Sequence, residues 1–552
     1  MPENKRSDAE EMATKQREIS VAAFFEKNRH LLGFDNPRKA LMTTIKEAVD
    51  NSLDACEEAG ILPEIIVEVI ELSDKRFRVI VEDNGPGIIK EQLPKIFAKL
   101  LYGSKFHKLS QTRGQQGIGI SASVMYAQLT TGKPAKIKSK IGKGKKANCI
   151  LLKLDTENNK PDVISEEEKE WKKDHGTRVE LDLEASYIKG SQSIDEYLKQ
   201  TAIANPHTTI IYTNPKAEQY IFARAVEVLP PMPKEIKPHP YGIELGMLIR
   251  MLKYTESRTL QSFLTTEFSR VGAGTAKEIC QHASILPNIK PRDINRDMSE
   301  KILNGIRKTK ISAPPTDCIS PIGDTNLEKG LRKEINAEFY ASVSRPASVY
   351  RGNPFVVEVA LAYGGELKGD KQARLLRFAN RVPLLFQQSA GAVSKSVSAV
   401  NWRPYGLQQT GSNLPVGPVS IVVHVASVWV PFTSESKEAI ASYDEILKEM
   451  RLAVQECGRK LGSYVNKKKR VGLELKKRGY IEKYIPHVAD ALKELLELTD
   501  ADDKKIQEIL TALLETTRGK VEEVGKIDNP DYDADFAKIG KEEPKEEEGD
   551  EQ

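Results

Sequence analysis

The stretch KEAVDNSLDACEEAG (46–60) decides how this chain is read. Taken as a helix, the segment around it carries Leu41, Ile45, Val49, Ser52 and Cys56 along one side and Glu47, Asn51 and Asp54 along the other. Asn36 is placed to cap it, Pro37 sits in its first turn and Gly60 closes it. A polar stripe opposite an apolar one ordinarily faces solvent, so its role has to be read from the segments that follow.

Composition sets the frame. The 552 residues, 39% hydrophobic and 29% charged, suffice for several cores, about three or four domains at ~150 residues each. No run approaches the ~18 uninterrupted apolar residues of a membrane span, and the polar start MPENKRSDAEEMATKQREIS lacks an apolar signal core. A cytoplasmic protein is expected. Cys56, Cys149, Cys280, Cys318 and Cys457 are scattered, without a CxxC pair or a histidine at metal-ligand spacing, which predicts reduced thiols and no zinc. The net charge is +4, but the last twelve residues, KEEPKEEEGDEQ, carry −5, leaving +9 on the rest. Basic residues concentrate at 132–146 and 466–479, as a partner made of phosphates would require.

Residues 1–20 read as a loose arm. EIIVEVIEL and RFRVIVED, joined by SDK, read as an antiparallel hairpin, and TRVELDL (177–183) as a further strand. The proline-rich segment 227–242 reads as a linker. Helical periodicity follows to about 310, with two helices about a glycine turn in FSRVGAGTAKEICQHA (268–283). Strand signals return in PFVVEVALAYGG, RVPLLF and VSIVVHVASVWVPF, and a helical tract is expected from Ser436 onwards, before an acidic, low-complexity tail.

The chemistry concentrates in the first 190 residues. EDNGPGI (82–88) puts an acid at a strand end before two glycines, which let a flat ligand approach without a Cβ in the way. Asp83 is then placed to accept a hydrogen bond from an exocyclic amine such as adenine's. YGSKFHKLSQTRGQQGIGISASVMY (102–126) is a glycine-bearing stretch ending at a helix start near Gly119, an anion cradle to which Lys105 and Arg113 can add charge. It contains no GxxxxGK[ST], which excludes a Walker P-loop.

EAVDNSLDA, DNGPGI, RGQQGIGI and HGTRVEL, in that order, resemble the four ATP-binding motifs of the GHKL superfamily, which includes gyrase, MutL, the ninety-kilodalton heat-shock chaperone and sensor histidine kinases. The resemblance implies a Bergerat-type α/β-sandwich ATPase domain using ATP and Mg²⁺. It makes Glu47 the general base that orients and deprotonates the attacking water, and Asn51 the ligand of Mg²⁺ bridging the phosphates. It makes Asp83 the adenine-reading acid, Gly87 the glycine beside the base, and Thr177 a support of the adenine site through water. Gly114, Gln115, Gln116, Gly117, Ile118, Gly119 and Ile120 become the lid over the phosphates, with Ser104 and Lys105 at its other edge. The i, i+4 spacing suits that chemistry, since phosphoryl transfer asks mainly for a positioned water, a metal and cradled oxygens.

Beyond these motifs, GFDNPRKAL, LLYGSKF, QTRGQQGIG, KPHPYG and SESKEAIA are similar to the ATPase subunit of type IIB DNA topoisomerases over roughly residues 18–490. That likeness implies an α+β multidomain chain: an arm at 1–20, a GHKL ATPase domain at 21–228, a helix-two-turn-helix domain at 229–311, an α/β transducer at 312–475, C-terminal helices at 476–530 and an acidic tail at 531–552. It places Lys437 on the γ-phosphate, as sensor and second catalytic residue. It also implies an ATP-dependent homodimer that acts on double-stranded DNA with a separate DNA-cleaving partner, the topoisomerase's A subunit, in an A₂B₂ assembly that relaxes and decatenates duplexes. A MutL-like repair ATPase shares the motifs but not the KPHPYG and GAGTAKEI insert. A sensor kinase needs an upstream phosphoacceptor histidine, and His30, in NRHLLGF, follows no long helix. A non-enzymatic ATP-gated DNA clamp does not need Glu47 and Lys437.

Overall fold

The computed structural model describes residues 12–13, 19–105, 108–114, 117–434, 437–497 and 499–518. The described residues form two compact units, one drawn from those up to 401 together with 408–457, the other from 402–407 together with those from 458 onwards. The predicted acidic tail and most of the N-terminal arm lie outside the described residues.

The first unit begins with an eight-stranded sheet. Its strands are β1 (Glu64–Ser73), β2 (Arg76–Asp83), β3 (Ala135–Lys140), β4 (Ala147–Asp155), β5 (Lys160–Lys169), β6 (Gly176–Glu184), β7 (Thr209–Thr213) and β8 (Gln219–Phe222). The spatial order is β5-β4-β3-β6-β2-β1-β7-β8, with β1 and β7 parallel and the other pairs antiparallel. The hairpin read from SDK is β1–β2, and its register opposes Val67 to Val81 and Val69 to Val79. These side chains and Ile65 are buried on one face, the period-two pattern that fixes a register.

Onto that face packs the helix Pro37–Glu58, together with Gly119–Thr131 and Ile194–Ala204. Asn36 caps the first of these, its side chain accepting from Lys39 N. Leu41, Ile45, Val49 and Leu53 are fully buried, each contributing about 1.5–3 kcal/mol of transfer free energy. The apolar stripe therefore holds the helix to the sheet, and Glu47 and Asn51 fall on its other side.

Four helices, Leu245–Tyr254, Leu260–Glu267, Ala273–Ala283 and Arg296–Lys308, share a core of Leu248, Leu252, Phe263, Ile279, Ile302 and Ile306. The second sheet contains β9 (Phe339–Ser344), β10 (Ser348–Tyr350), β11 (Asn353–Tyr363), β12 (Arg374–Ala379), β13 (Val382–Pro383) and β14 (Val419–Ser427). Its order is β10-β11-β14-β12-β13, with β9 also paired to β11. Here the strand expectations need correction. RVPLLF supplies only the two-residue β13, while Arg374–Ala379, masked in sequence by its arginines, is the longer strand. β14 stops at Ser427, and the helix expected from Ser436, a position outside the described residues, begins at Asp444, just after an isolated bridge between Phe432 and Ile440.

The boundary between the units falls within the 53-residue helix Asp444–Leu496, which contains Pro486 and is followed by Asp500–Arg518. Within the second unit the Tyr405 ring lies against Gly458, where a Cβ would stand 2.5 Å from its Cε2.

Candidate active site

A cavity of 590 Å³ in the first unit, well within the size range of ligand pockets, is lined by Glu47, Asn51, Asp83, Gly87, Ser104, Lys105, Gly114, Gly117, Ile118, Gly119, Ile120, Thr177 and Lys437. Gln115 and Gln116 lie outside the described residues. Segments distant in the chain thus converge on one space.

At one end β2 delivers Asp83, a buried carboxylate. Its Oδ1 accepts from Gly85 N and Thr177 N, both at 2.9 Å, and its Oδ2 from Ser52 Oγ at 2.9 Å. Burial pushes the Asp83 pKa up, and those three donors oppose the shift without cancelling it. Orientation by three donors fixes where the carboxylate can accept a further hydrogen bond. Thr177 Oγ1 is bonded to Ser139 Oγ at 3.0 Å, so its backbone, as well as its hydroxyl, shapes this end. Gly87 has φ +73°, and a Cβ there would lie 2.1 Å from Lys140 O; only glycine fits.

The helical pattern puts Ser52 on the apolar stripe, where it is buried and bonds to Asp83, a partner the pattern did not show. A small hydroxyl on a buried face needs a partner, which is the signal that could have found it. Ser52→Ala is expected to weaken adenine-nucleotide binding about fivefold, the size of one net hydrogen bond, with the fold intact. Calorimetry with ADP checks this.

Glu47 and Asn51 follow one turn apart on the cavity wall. Facing them is the start of the helix Gly119–Thr131, whose N-cap residue Ile118 makes no side-chain capping bond. A Cβ on Gly119 would stand 1.8 Å from Glu47 Oε2, so carboxylate and helix start are in close approach. Ile118 and Ile120 are buried in the core.

The two cations expected to add charge are already matched. Arg113 donates to both oxygens of Glu57 at 2.9 and 2.6 Å and to Asp54 Oδ1 at 2.6 Å. Burial opposes its charge, yet Glu57 and Asp54 hold its pKa above the ordinary arginine value. It is absent from the 590 Å³ cavity's wall and instead lines a second cavity of 350 Å³, together with Lys46, Glu47, Asp50, Thr112, Asn380 and Lys437. Lys105 does line the larger cavity, but its Nζ pairs with Asp54 and, at 3.5 Å, with Glu58. Asp54, on the stripe that ordinarily faces solvent, is buried between these two cations.

Lys437 reaches the cavity from the loop after β14, with φ +53° and its Nζ donating to Arg113 O at 3.4 Å. Burial lowers its pKa, with the nearby Glu47 charge acting in the opposite sense. Its neighbour Glu438 is pinned to the helix that carries Glu47: Lys39 Nζ lies 2.5 Å from Glu438 Oε1, and Gln387 donates to Oε2 at 2.7 Å.

Known proteins match this sequence. Residues 36–158 match the family described as histidine kinase-, DNA gyrase B- and HSP90-like ATPase, and residues 314–477 match the topoisomerase VI B subunit transducer. The B subunit of type 2 DNA topoisomerase 6 from Methanococcoides burtonii is 53% identical over 490 residues, covering 89% of this chain and 79% of that protein. Its namesakes from Archaeoglobus fulgidus (49% over 487 residues, 88% and 81%) and Halobacterium salinarum (35% over 632 residues, 81% and 78%) agree. The chain belongs to the family of type 2 DNA topoisomerase 6 B subunits. The second sheet, with Lys437 beyond its β14, falls inside the transducer match, while Glu47, Asn51, Asp83, Gly87 and the lid glycines fall inside the ATPase match and Thr177 beyond it. In this topoisomerase 6 family member the GHKL ATPase region and the transducer therefore share one cavity.

Proposed function

We propose that this chain binds ATP with Mg²⁺, hydrolyses it, and uses the cycle to close two copies into a clamp that passes one DNA duplex through a break made by a separate cleaving chain. The observation that carries the reading is the convergence of Glu47, Asn51, Asp83 and Lys437 on one cavity, in a member of the topoisomerase 6 B-subunit family.

Asp83 accepts the adenine amine, and Gly87 lets the ring lie against the backbone. The uncapped start of Gly119–Thr131 donates to the phosphates. Glu47 holds the attacking water and takes its proton as the water oxygen bonds to the γ-phosphorus and the bond to the bridging oxygen breaks, leaving ADP with that electron pair. Asn51 fits Mg²⁺: its neutral amide oxygen, one turn from Glu47, is the hard donor this ion takes beside phosphate oxygens. When bound, the ion neutralises charge on the phosphates. Lys437 contacts the γ-phosphate. Gln115 and Gln116, between the cavity-lining Gly114 and Gly117, are assigned to the same lid.

The domain limits 21–228, 229–311, 312–475 and 476–530, an A₂B₂ assembly and a cytoplasmic location belong to the same proposal; no helix among the described residues is long and apolar enough to cross a membrane. The test is ATP turnover and supercoil relaxation by the full chain mixed with its cleaving partner. A nonhydrolysable ATP analogue should convert the chain from monomer to dimer, and deleting residues 1–18 should weaken that dimer. A monomer by light scattering at saturating analogue, or relaxation without ATP, would overturn the clamp.

A further inference from the structure

The second cavity, of 350 Å³, takes no part in holding the nucleotide. It shares Lys46, Glu47, Leu384 and Lys437 with the larger cavity, but none of Asn51, Asp83, Gly87, Gly119 or Thr177 lines it. The two spaces therefore meet at Glu47 and extend from it in different directions. The second reaches Trp429, which is 41% exposed, and the exposed Thr433, and these two residues mark its mouth.

Its wall carries buried donors that are not spent. Among the described residues, Thr112 Oγ1 and Arg113 Nε are buried and make no hydrogen bond, whereas the great majority of buried polar atoms in folded proteins do. Arg113 is 8% exposed, and its Nη–H groups are taken by Asp54, Glu57 and Asn205, which leaves Nε–H. The Lys46 ammonium stands 4.0 Å from Glu47 Oε1, and the Asp50 carboxylate adds acceptors. A wall that sets O–H, N–H and ammonium donors beside carboxylates suits a ligand with both bare oxygens and a hydroxyl. Inorganic phosphate near neutral pH is such a ligand; a phosphate inside a nucleotide chain has no hydroxyl to offer.

The chemistry delivers that product to the same junction. In an in-line displacement the attacking and leaving oxygens lie on opposite sides of the phosphorus, which shifts towards the attacking side as the new bond forms. With the attacking water held by Glu47, the product forms on Glu47's side, away from ADP, where the second cavity begins. We propose that this cavity is a site for inorganic phosphate, with Thr112 and Arg113 donating to its oxygens, through which the product of hydrolysis leaves past Trp429 and Thr433. This rests on the ATPase reading above.

The experiment uses the full chain with its cleaving partner. Inorganic phosphate is titrated by calorimetry into the ADP-loaded protein, as wild type, Thr112→Val and Thr112→Ser. Because Thr112 does not line the nucleotide cavity, phosphate resting in the γ position there is indifferent to it. Thr112→Val is expected to weaken phosphate about fivefold, the size of one net hydrogen bond, with ADP affinity within about twofold, and Thr112→Ser, which keeps the hydroxyl, to bind as wild type does. Thr433→Trp tests the route from an exposed position that tolerates bulk, so a folding defect at Thr112 leaves the test standing. In it, release read by a fluorescent phosphate sensor is expected to lag bond cleavage read by acid quench at least fivefold more than in wild type. Phosphate affinity unchanged in Thr112→Val, a matching loss of ADP affinity there, or release that keeps pace with cleavage in Thr433→Trp would overturn the proposal. Absence of cleavage in the wild-type assembly would instead overturn the ATPase reading.

Discussion

Glu47→Ala is expected to bind ATP about as well as the wild type and to hydrolyse it at least ~100-fold more slowly, the scale of losing a positioned general base. Binding survives because the substitution leaves Asp83 with its three donors, Asn51 and the first-turn N–H groups of the helix Gly119–Thr131 in place. Turnover fails because, among the described residues, no other carboxylate takes the position pressed against Gly119, where a Cβ would meet Glu47 Oε2. Calorimetry and a coupled ATPase assay on the same preparation separate the two effects. Turnover near the wild-type rate would remove Glu47 from the base's role.

Lys437→Ala is expected to leave ADP affinity within about twofold and to weaken the nonhydrolysable ATP analogue roughly ten- to a hundredfold, as loss of a desolvated charge contact of about 1.5–3 kcal/mol requires. The asymmetry follows from reach: a contact made only with the γ-phosphate is a differential contact, and only such contacts shift a conformational equilibrium. Strand passage and hydrolysis in the presence of the cleaving partner should fall together. The left-handed backbone at Lys437 and the Glu438–Lys39 pair present its ammonium to the cavity, so Lys437→Arg, longer and planar, should rescue poorly. An equal loss for ADP and analogue would make Lys437 a general electrostatic residue.

Where candidate residues sit in short segments, their placement was readable in the sequence. Glu47 and Asn51 share a helix whose apolar stripe fixed its orientation, and Asp83 ends a strand whose alternation set its register. Long-range commitments were not readable. Nothing near RGQQGIG shows that Arg113 is spent on Glu57 and Asp54, because a polar stripe ordinarily faces water or ligand and its acids carry no mark of a partner more than fifty residues away. Ser52 sits in an apolar context, and its partner lies 31 residues away. The start of the helix at Asp444 follows an isolated bridge between Phe432 and Ile440, a tertiary pairing that local helical periodicity does not show. β9 and β12 were missed because short strands interrupted by arginine or serine carry little periodic signal.

Arg113 is walled into a buried ion network and Lys105 is matched by Asp54 and Glu58, so on the proposed reading neither is free to hold a phosphate chain, which rests instead on the backbone donors at the start of Gly119–Thr131. Such a cradle measures shape more than charge: di- and triphosphates are held alike wherever they overlap. On that reading the difference between them registers where the chain of phosphates ends, at the Lys437 ammonium, supplied 324 residues downstream of the carbonyl on which it rests. On the proposed reading the protein is a length gauge, and its result is delivered directly to the element that has to move.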